Sequence, residues 1–319
     1  MAIERVAVIG AGEWGTALAQ AAATAGRHVT LIGRDPDVLA EINVAHTNRK
    51  HLGLIKLSHH IAATSRYSGA DLVILAVPAQ STRAVLGLLG NLGEPVVLTA
   101  KGLEHNSLKR QSEILSELAP DAVPYVLSGP SFAIDVAAGR PTAVTLAGDD
   151  VAATESIAAA LAGPSFRLYA AADITGVELC GALKNVYALA AGAVEGAKLG
   201  ASARAGLIAR AFAELSRIVP ALGGRAETLT GLAGLGDLAL SCTSPQSRNY
   251  QHGVALGSKT LEPRSLAEGI FTAPVAQALA QRAGVEAPLI DAVNQLLSGT
   301  VSIDRIVAGL MSRPLKREN

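Results

Sequence analysis

Gly10-Ala11-Gly12-Glu13-Trp14-Gly15 is the stretch whose reading decides the fold class of this chain. It matches G-x-G-x-x-G, a pattern of little weight by itself in a chain with 32 glycines. Its surroundings give it weight. An apolar run at residues 5–10 precedes it, residues 13–25 read as a helix rich in Ala, Leu and Gln, and a second apolar run follows at 29–32. Strand, glycine turn, helix, strand is the setting in which such a loop holds the pyrophosphate of a dinucleotide. Gly10 permits the tight turn, Gly12 lets the backbone approach the pyrophosphate, and Gly15 lets the helix pack close to the strand. The anion then meets unpaired N–H groups in the first helical turn, where Glu13 and Trp14 stand. After the second strand comes Gly33-Arg34-Asp35. An acidic side chain there binds a ribose 2′-hydroxyl and selects NAD, whereas an arginine accommodates the 2′-phosphate of NADP. Arg34 comes first, which slightly favours NADPH; Asp35 leaves NADH open.

Working outward, further short apolar runs at 72–77, 96–99, 125–127 and 143–146 alternate with helix-like segments. Fully apolar strands between helices predict a parallel sheet covered on both faces. After about Tyr169 no further strand is legible. Helical spacing of Ala, Leu and Gly takes over, with helices expected at about 175–192, 203–221, 265–284 and 288–298. The expected architecture is α/β. A Rossmann-type doubly wound parallel sheet spans residues 1–170, and an all-helical domain that binds substrate and carries catalysis spans 171–319.

Bulk properties narrow the function. The 27 basic and 27 acidic residues cancel, which leaves no electrostatic footprint for nucleic acid or an anionic membrane. Residues 179–194 are nearly uncharged but include Lys184, so they read as a buried helix and not as a membrane span. Cys180 and Cys242 lack metal-ligand or CxxC spacing and read as small buried hydrophobes; the scattered histidines offer no metal site. The chain runs directly into its first strand with no signal-peptide pattern, so the expected location is the cytoplasm.

Three features carry chemistry. Lys101 follows the strand at 96–99, at the carboxyl end of the sheet, where ligands bind in such folds. Lys184, with Asn185 beside it, is an ammonium in an apolar helix, which is costly unless it is paired or lines a cavity. Asp237 follows a glycine-rich turn, and beyond it Ser247-Arg248-Asn249 offers a hydroxyl, a guanidinium and a carboxamide, a combination suited to phosphate. One chemistry uses them all: hydride exchange between a nicotinamide and the carbonyl carbon of a small phosphorylated ketone. In that reading Lys184 donates the proton to oxygen, Lys101 stabilises charge developing there, and Asp237 orients a lysine or a substrate hydroxyl.

Ordered motifs then suggest a family. They are Gly10 to Ala19, Ala76-Val77-Pro78, Lys101-Gly102-Leu103-Glu104, Ser128-Gly129-Pro130-Ser131-Phe132-Ala133, Gly181-Ala182-Leu183-Lys184-Asn185, Gly231 to Asp237, Ser247-Arg248-Asn249 and Glu268-Gly269. Over nearly its whole length the chain resembles the bacterial NAD(P)-dependent glycerol-3-phosphate dehydrogenases. The resemblance implies reversible interconversion of sn-glycerol 3-phosphate and dihydroxyacetone phosphate, supply of glycerol 3-phosphate for phospholipids, and a homodimer. It implies Lys184 as the catalytic proton acceptor, and Lys101, Gly129, Ser131, Asn185, Asp237, Ser247, Arg248 and Asn249 as substrate contacts. Implied cofactor contacts beyond the glycine loop are Arg34, Lys101, Ala133, Arg248, Leu266 and Glu268. The chain departs from the family at Glu13, where Ser or Thr is common. A carboxylate beside a pyrophosphate is unfavourable unless it points away. Two other readings are compatible with the glycine loop. A two-domain β-hydroxy acid or ketopantoate-type dehydrogenase would lack the phosphate cluster, and a non-catalytic NAD(P) sensor would have lost Lys101, Lys184 and Asp237.

Overall fold

Alternate residues of the first strand serve opposite layers: Val6 and Val8 are buried with one set of helices, and Ala7 and Ile9 with the other. That double burial is why the run is continuously apolar. The computed structural model describes residues 3–260 and 267–312. It contains one eight-stranded sheet: β1 (Arg5–Ile9), β2 (His28–Ile32), β3 (Ile61–Thr64), β4 (Leu72–Leu75), β5 (Pro95–Leu98), β6 (Val123–Ser128), β7 (Thr142–Ala147) and β8 (Phe166–Ala171). The spatial order is β3-β2-β1-β4-β5-β6-β7-β8. The strand order reverses between β1 and β4, and the crevice beyond their carboxyl ends is where ligands bind in such sheets.

The sheet departs from expectation in two ways. β7 runs antiparallel to β6, although every other neighbouring pair is parallel. The β6–β7 connection contains only the short helix Ala133–Ala137, which cannot carry the chain back along the sheet as a parallel crossover needs. In addition, β3 and β8 were not legible as strands. They are the two edges of the sheet, and their segments mix exposed and buried positions instead of forming an apolar run.

Past β8 the described chain is helical, built around the helix Ile174–Gly196. It is long and apolar enough to cross a membrane, but its whole apolar window is buried inside the protein. Helices Ala201–Ala221, Glu268–Arg282 and Pro288–Leu297 match the expected helical segments, while Arg248–Gly257 and Ile303–Met311 had gone unread. The long helix packs backbone to backbone on Arg248–Gly257. A Cβ on Gly192 would lie 2.0 Å from the Tyr250 carbonyl oxygen, and one on Gly253 would lie 2.1 Å from that of Leu189. Gly196 and Gly257 repeat the contact one turn further on. This crossing brings the segment Ser247-Arg248-Asn249 to the level of Lys184 and Asn185. Cys180 and Cys242 are free and buried, as expected, and burial pushes both thiols up to about 12.

Candidate active site

The glycine loop lies at the carboxyl end of β1. Gly10 has φ +118°, and a Cβ there would be 2.3 Å from the Ala76 carbonyl oxygen, so no other residue fits. A Cβ on Gly15 would be 1.8 Å from the Gly10 carbonyl oxygen, whereas one on Gly12 would meet nothing within 4 Å. Gly12 therefore opens onto free space at the start of the helix Glu13–Thr24, whose N-cap contributes no side-chain hydrogen bond. That opening fits a pyrophosphate. The Asn48 amide braces the loop by donating to the Ala11 carbonyl at 3.1 Å and to Thr16 Oγ1 at 2.8 Å. Glu13 is exposed, and Trp14 is half-buried, packed on the sheet core.

Asp35 has other work. Its Oδ1 caps the helix Pro36–Ala45 by accepting from the Asp37 and Val38 N–H groups, and its Oδ2 takes the Lys50 ammonium at 2.6 Å. Arg34 beside it is exposed.

The two lysines meet on one carboxylate. Lys184 Nζ donates to Asp237 Oδ1 at 2.9 Å and to Ser241 Oγ at 2.7 Å. Lys101 Nζ donates to Asp237 Oδ2 at 2.7 Å and to the Gly129 carbonyl at 2.8 Å. An ammonium has three N–H donors, so with two partners each among the described residues, each lysine retains one for a ligand. Two cations against one anion leave the cluster net positive. The Asp237 side chain is only 1% exposed. Burial raises its pKa, but the two ammonium groups outweigh burial and hold the carboxyl below its ordinary value. Burial pushes Lys101 down to about 8, with Lys184 adding to the fall and Asp237 opposing it.

Local structure explains the aim of these groups. The backbone at Leu232–Gly236 forms a π turn, a feature common at functional sites, and the helix Asp237–Thr243 starts directly from it with Asp237 pointing inward. The loop after Lys101 is tied down on several sides. Gln80 donates to the Leu103 carbonyl at 2.7 Å, Gln111 to the Gly102 carbonyl at 2.8 Å, and Arg83 grips Glu104. Across the sheet–helix boundary, Glu178 of the long helix accepts from the Ser112 N–H at 2.9 Å and pairs with Arg110 at 3.2 Å.

A chain of amides links the remaining pieces. Asn185 Nδ2 donates to the Lys101 carbonyl at 2.7 Å, Asn249 Nδ2 donates to Asn185 Oδ1 at 2.8 Å, and Asn249 Oδ1 accepts from the Gly269 N–H at 2.8 Å. Next to Gly269, Glu268 Oε1 accepts from the Ala79 N–H at 3.2 Å, and Oε2 is buried with no hydrogen-bond partner among the described residues. Burial raises the Glu268 pKa, opposed by the Ala79 N–H and the Arg248 charge. An orphaned buried acceptor fits a ligand amide or hydroxyl.

Comparison with known proteins now decides the lineage. The family described as NAD-dependent glycerol-3-phosphate dehydrogenase matches by its N-terminus over residues 5–154 and by its C-terminus over residues 173–308. A "Glycerol-3-phosphate dehydrogenase [NAD(P)+]" of Brucella canis is 49% identical over 323 aligned positions, covering 99% of each chain. The chain belongs to the NAD-dependent glycerol-3-phosphate dehydrogenase family. Another such relative, from Caulobacter vibrioides, is 50% identical over 330 aligned positions and the full length of both chains. The crystal structure of glycerol-3-phosphate dehydrogenase from Coxiella burnetii superposes with a TM-score of 0.90 at 34% identity, covering 98% of this chain and 99% of the other. Membership of the glycerol-3-phosphate dehydrogenase family sets aside the β-hydroxy acid and ketopantoate alternatives.

Within this family fold, the expected residues Lys101, Gly129, Lys184, Asn185, Asp237 and Asn249 are joined by hydrogen bonds directly or through one another, and Glu268 adjoins them through its neighbour Gly269. Ser131 Oγ donates to the Gly129 carbonyl at 3.1 Å. Ser247 caps its helix by accepting from the Tyr250 N–H at 3.3 Å, and Arg248 is exposed at the first helical position. Ala133 is half-buried at the start of the short helix after β6. Leu266 lies outside the described residues. The sequence reading gave no role to Ser241, one helical turn beyond Asp237, a spacing that could have flagged it. Nor did it single out Asn48 or Glu178, whose partners are distant in sequence.

Proposed function

We propose that this chain is an NAD(P)-dependent glycerol-3-phosphate dehydrogenase that interconverts sn-glycerol 3-phosphate and dihydroxyacetone phosphate. The observation that carries the reading is the pair of ammonium groups on Asp237, each with one N–H to spare. The bound nicotinamide supplies hydride to the ketone carbon, or accepts it in reverse. Gly10, Gly12 and Gly15 clear the path for its pyrophosphate at the N-terminus of the helix Glu13–Thr24. In ketone reduction Lys184 gives a proton to the substrate oxygen, and in alcohol oxidation it takes that proton back. Lys101 places its spare N–H toward the same oxygen and stabilises charge forming there. Asp237 fixes both ammonium groups, and Ser241 holds Lys184 from a second side. The substrate phosphate binds at the N-terminus of the helix Arg248–Gly257, where the Arg248 guanidinium and the backbone N–H groups of Arg248 and Asn249 suit an anion.

We assign NADPH as the favoured cofactor. Asp35 is already engaged as a helix cap and by Lys50, while Arg34 stands exposed beside it. A 2′-phosphate would then meet cations, with the nearest carboxylate already neutralised. We further assign a cytoplasmic homodimer that supplies glycerol 3-phosphate for phospholipid synthesis, on the strength of the family likeness.

The test is NADPH and NADH oxidation with dihydroxyacetone phosphate beside unphosphorylated dihydroxyacetone. Rapid oxidation with the phosphorylated ketone alone is expected, faster with NADPH. Binding of NADPH with no oxidation by either ketone would favour a sensor over an enzyme.

A further inference from the structure

The side chain of Asn249 is engaged at both ends. It is buried at the first turn of the helix Arg248–Gly257, and its amide oxygen and nitrogen each have a protein partner. The ends of the chain fix its polarity. The Gly269 N–H can only donate and the Lys101 carbonyl can only accept, so both amides between them have one allowed orientation. The series runs Gly269 N–H to Asn249, Asn249 to Asn185, and Asn185 to Lys101, which crosses from the start of one helix through two others to the end of a sheet strand. The packing leaves little slack. A Cβ on Gly269 would lie 2.6 Å from the Asn185 carbonyl oxygen, and one on Gly102 would lie 2.9 Å from Glu268 Oε2.

Building on the proposed dehydrogenase reading, we propose that Asn249 is a positioning residue whose side chain couples the Glu268 turn to the Lys101–Lys184 pair and does not itself hold the substrate phosphate. Through Gly269 it sets where Glu268 presents its unpartnered oxygen to the cofactor. Through Asn185 it fixes the Lys101 backbone, and so the direction of the Lys101 ammonium. Asn249 is the one side chain common to both arms, its Nδ2 serving the Lys101 end and its Oδ1 the Glu268 end. Any phosphate contact by residue 249 falls to its backbone N–H.

The test compares Asn249→Ala, Asn185→Ala and the double variant, reading NADPH affinity without substrate, kcat, and KM for dihydroxyacetone phosphate. Asn249→Ala is expected to weaken NADPH binding about fivefold, as loss of one ordinary hydrogen bond would, and to lower kcat about tenfold. Asn185→Ala, which leaves the Asn249–Gly269 bond intact, is expected to lower kcat similarly with NADPH affinity within about twofold of wild type. The double variant is expected to match Asn249→Ala, because the two act through each other. Should Asn249→Ala not fold, Asn249→Ser, too short for both bonds, carries the same expectations. A rise in KM for the phosphorylated ketone with kcat and NADPH affinity unchanged would overturn the proposal, and so would a lower melting temperature with all three parameters unchanged. If wild type fails to reduce dihydroxyacetone phosphate, the substrate assignment falls, yet the contrast in NADPH affinity between the two single variants still decides whether Asn249 holds the Glu268 turn.

Discussion

Lys184 and Lys101 hold the same carboxylate, yet their removal has different consequences. Lys184 is the proposed proton donor, so Lys184→Ala should lower kcat roughly a thousandfold while NADPH affinity stays near wild type. A loss of NADPH binding instead would place Lys184 in the cofactor site and not at the reacting oxygen. Lys101 is the residue through which pH acts. Burial brings it down to about 8, well below an ordinary lysine. It must be protonated to stabilise an oxyanion, so kcat/KM for ketone reduction should fall as pH rises through about 8. Lys101→Arg, which retains charge, should remove that alkaline limb; a limb unchanged in the arginine variant would assign it to another group. The sign for stability is the opposite. A lysine with a lowered folded-state pKa is a cost that is fully present below about pH 8 and fades as pH rises toward the unfolded value of about 10.4. Lysines 101 and 184 and Asp237 were legible as chemistry because charges in apolar or glycine-rich settings stand out. That Asp237 orients a lysine was one of two readings; that it holds both at once was not legible, since the three come from widely separated parts of the chain.

At the scale of elements, glycine placement controls the site. Gly192 and Gly196 on the long helix, and Gly253 and Gly257 on Arg248–Gly257, recur at a spacing of one turn and let the two backbones touch. Gly253→Ala should destabilise the protein by about 3 kcal/mol, because the new methyl meets a carbonyl oxygen that cannot retreat. It should also raise KM for the phosphorylated ketone, since Arg248 leads the displaced helix. The control is Gly206, exposed in the helix Ala201–Ala221 with nothing within 4 Å of a Cβ. Gly206→Ala should stabilise by about 0.5–1 kcal/mol through helix propensity alone. Thermal or urea unfolding of the two variants checks both, and similar shifts of one sign would refute the packing argument. The same glycines explain why Arg248–Gly257 was not read as a helix. They lower its local propensity, and the gain that offsets them is a contact with another helix, which sequence spacing alone does not reveal.

For the whole molecule, the sheet and the helical part meet across the lysine pair, the Asn185–Lys101 hydrogen bond and the Glu178 contacts, so a ligand in the cleft should tighten the molecule as a unit. Ligand at 100 times its Kd adds about 2.7 kcal/mol of stability. At equal concentrations NADPH should therefore raise the melting temperature more than NADH, and Arg34→Ala should erase the difference; equal shifts in wild type would remove Arg34 from cofactor selection. The N-terminal glycine loop, the central strands and the long helix were readable from sequence because each rests on local rules: tight-turn geometry, double-sided burial of short apolar runs, and helical spacing. The motif order carried the family likeness for the same reason, as chemistry written in contiguous residues. Only the tertiary structure decided the edge strands β3 and β8, the reversal at β7, the occupation of Asp35 by its own helix and Lys50, and the amide series from Gly269 to Lys101. Those features depend on which distant groups end up adjacent, and a buried polar atom is satisfied by whatever the fold brings within reach, not by its neighbours along the chain.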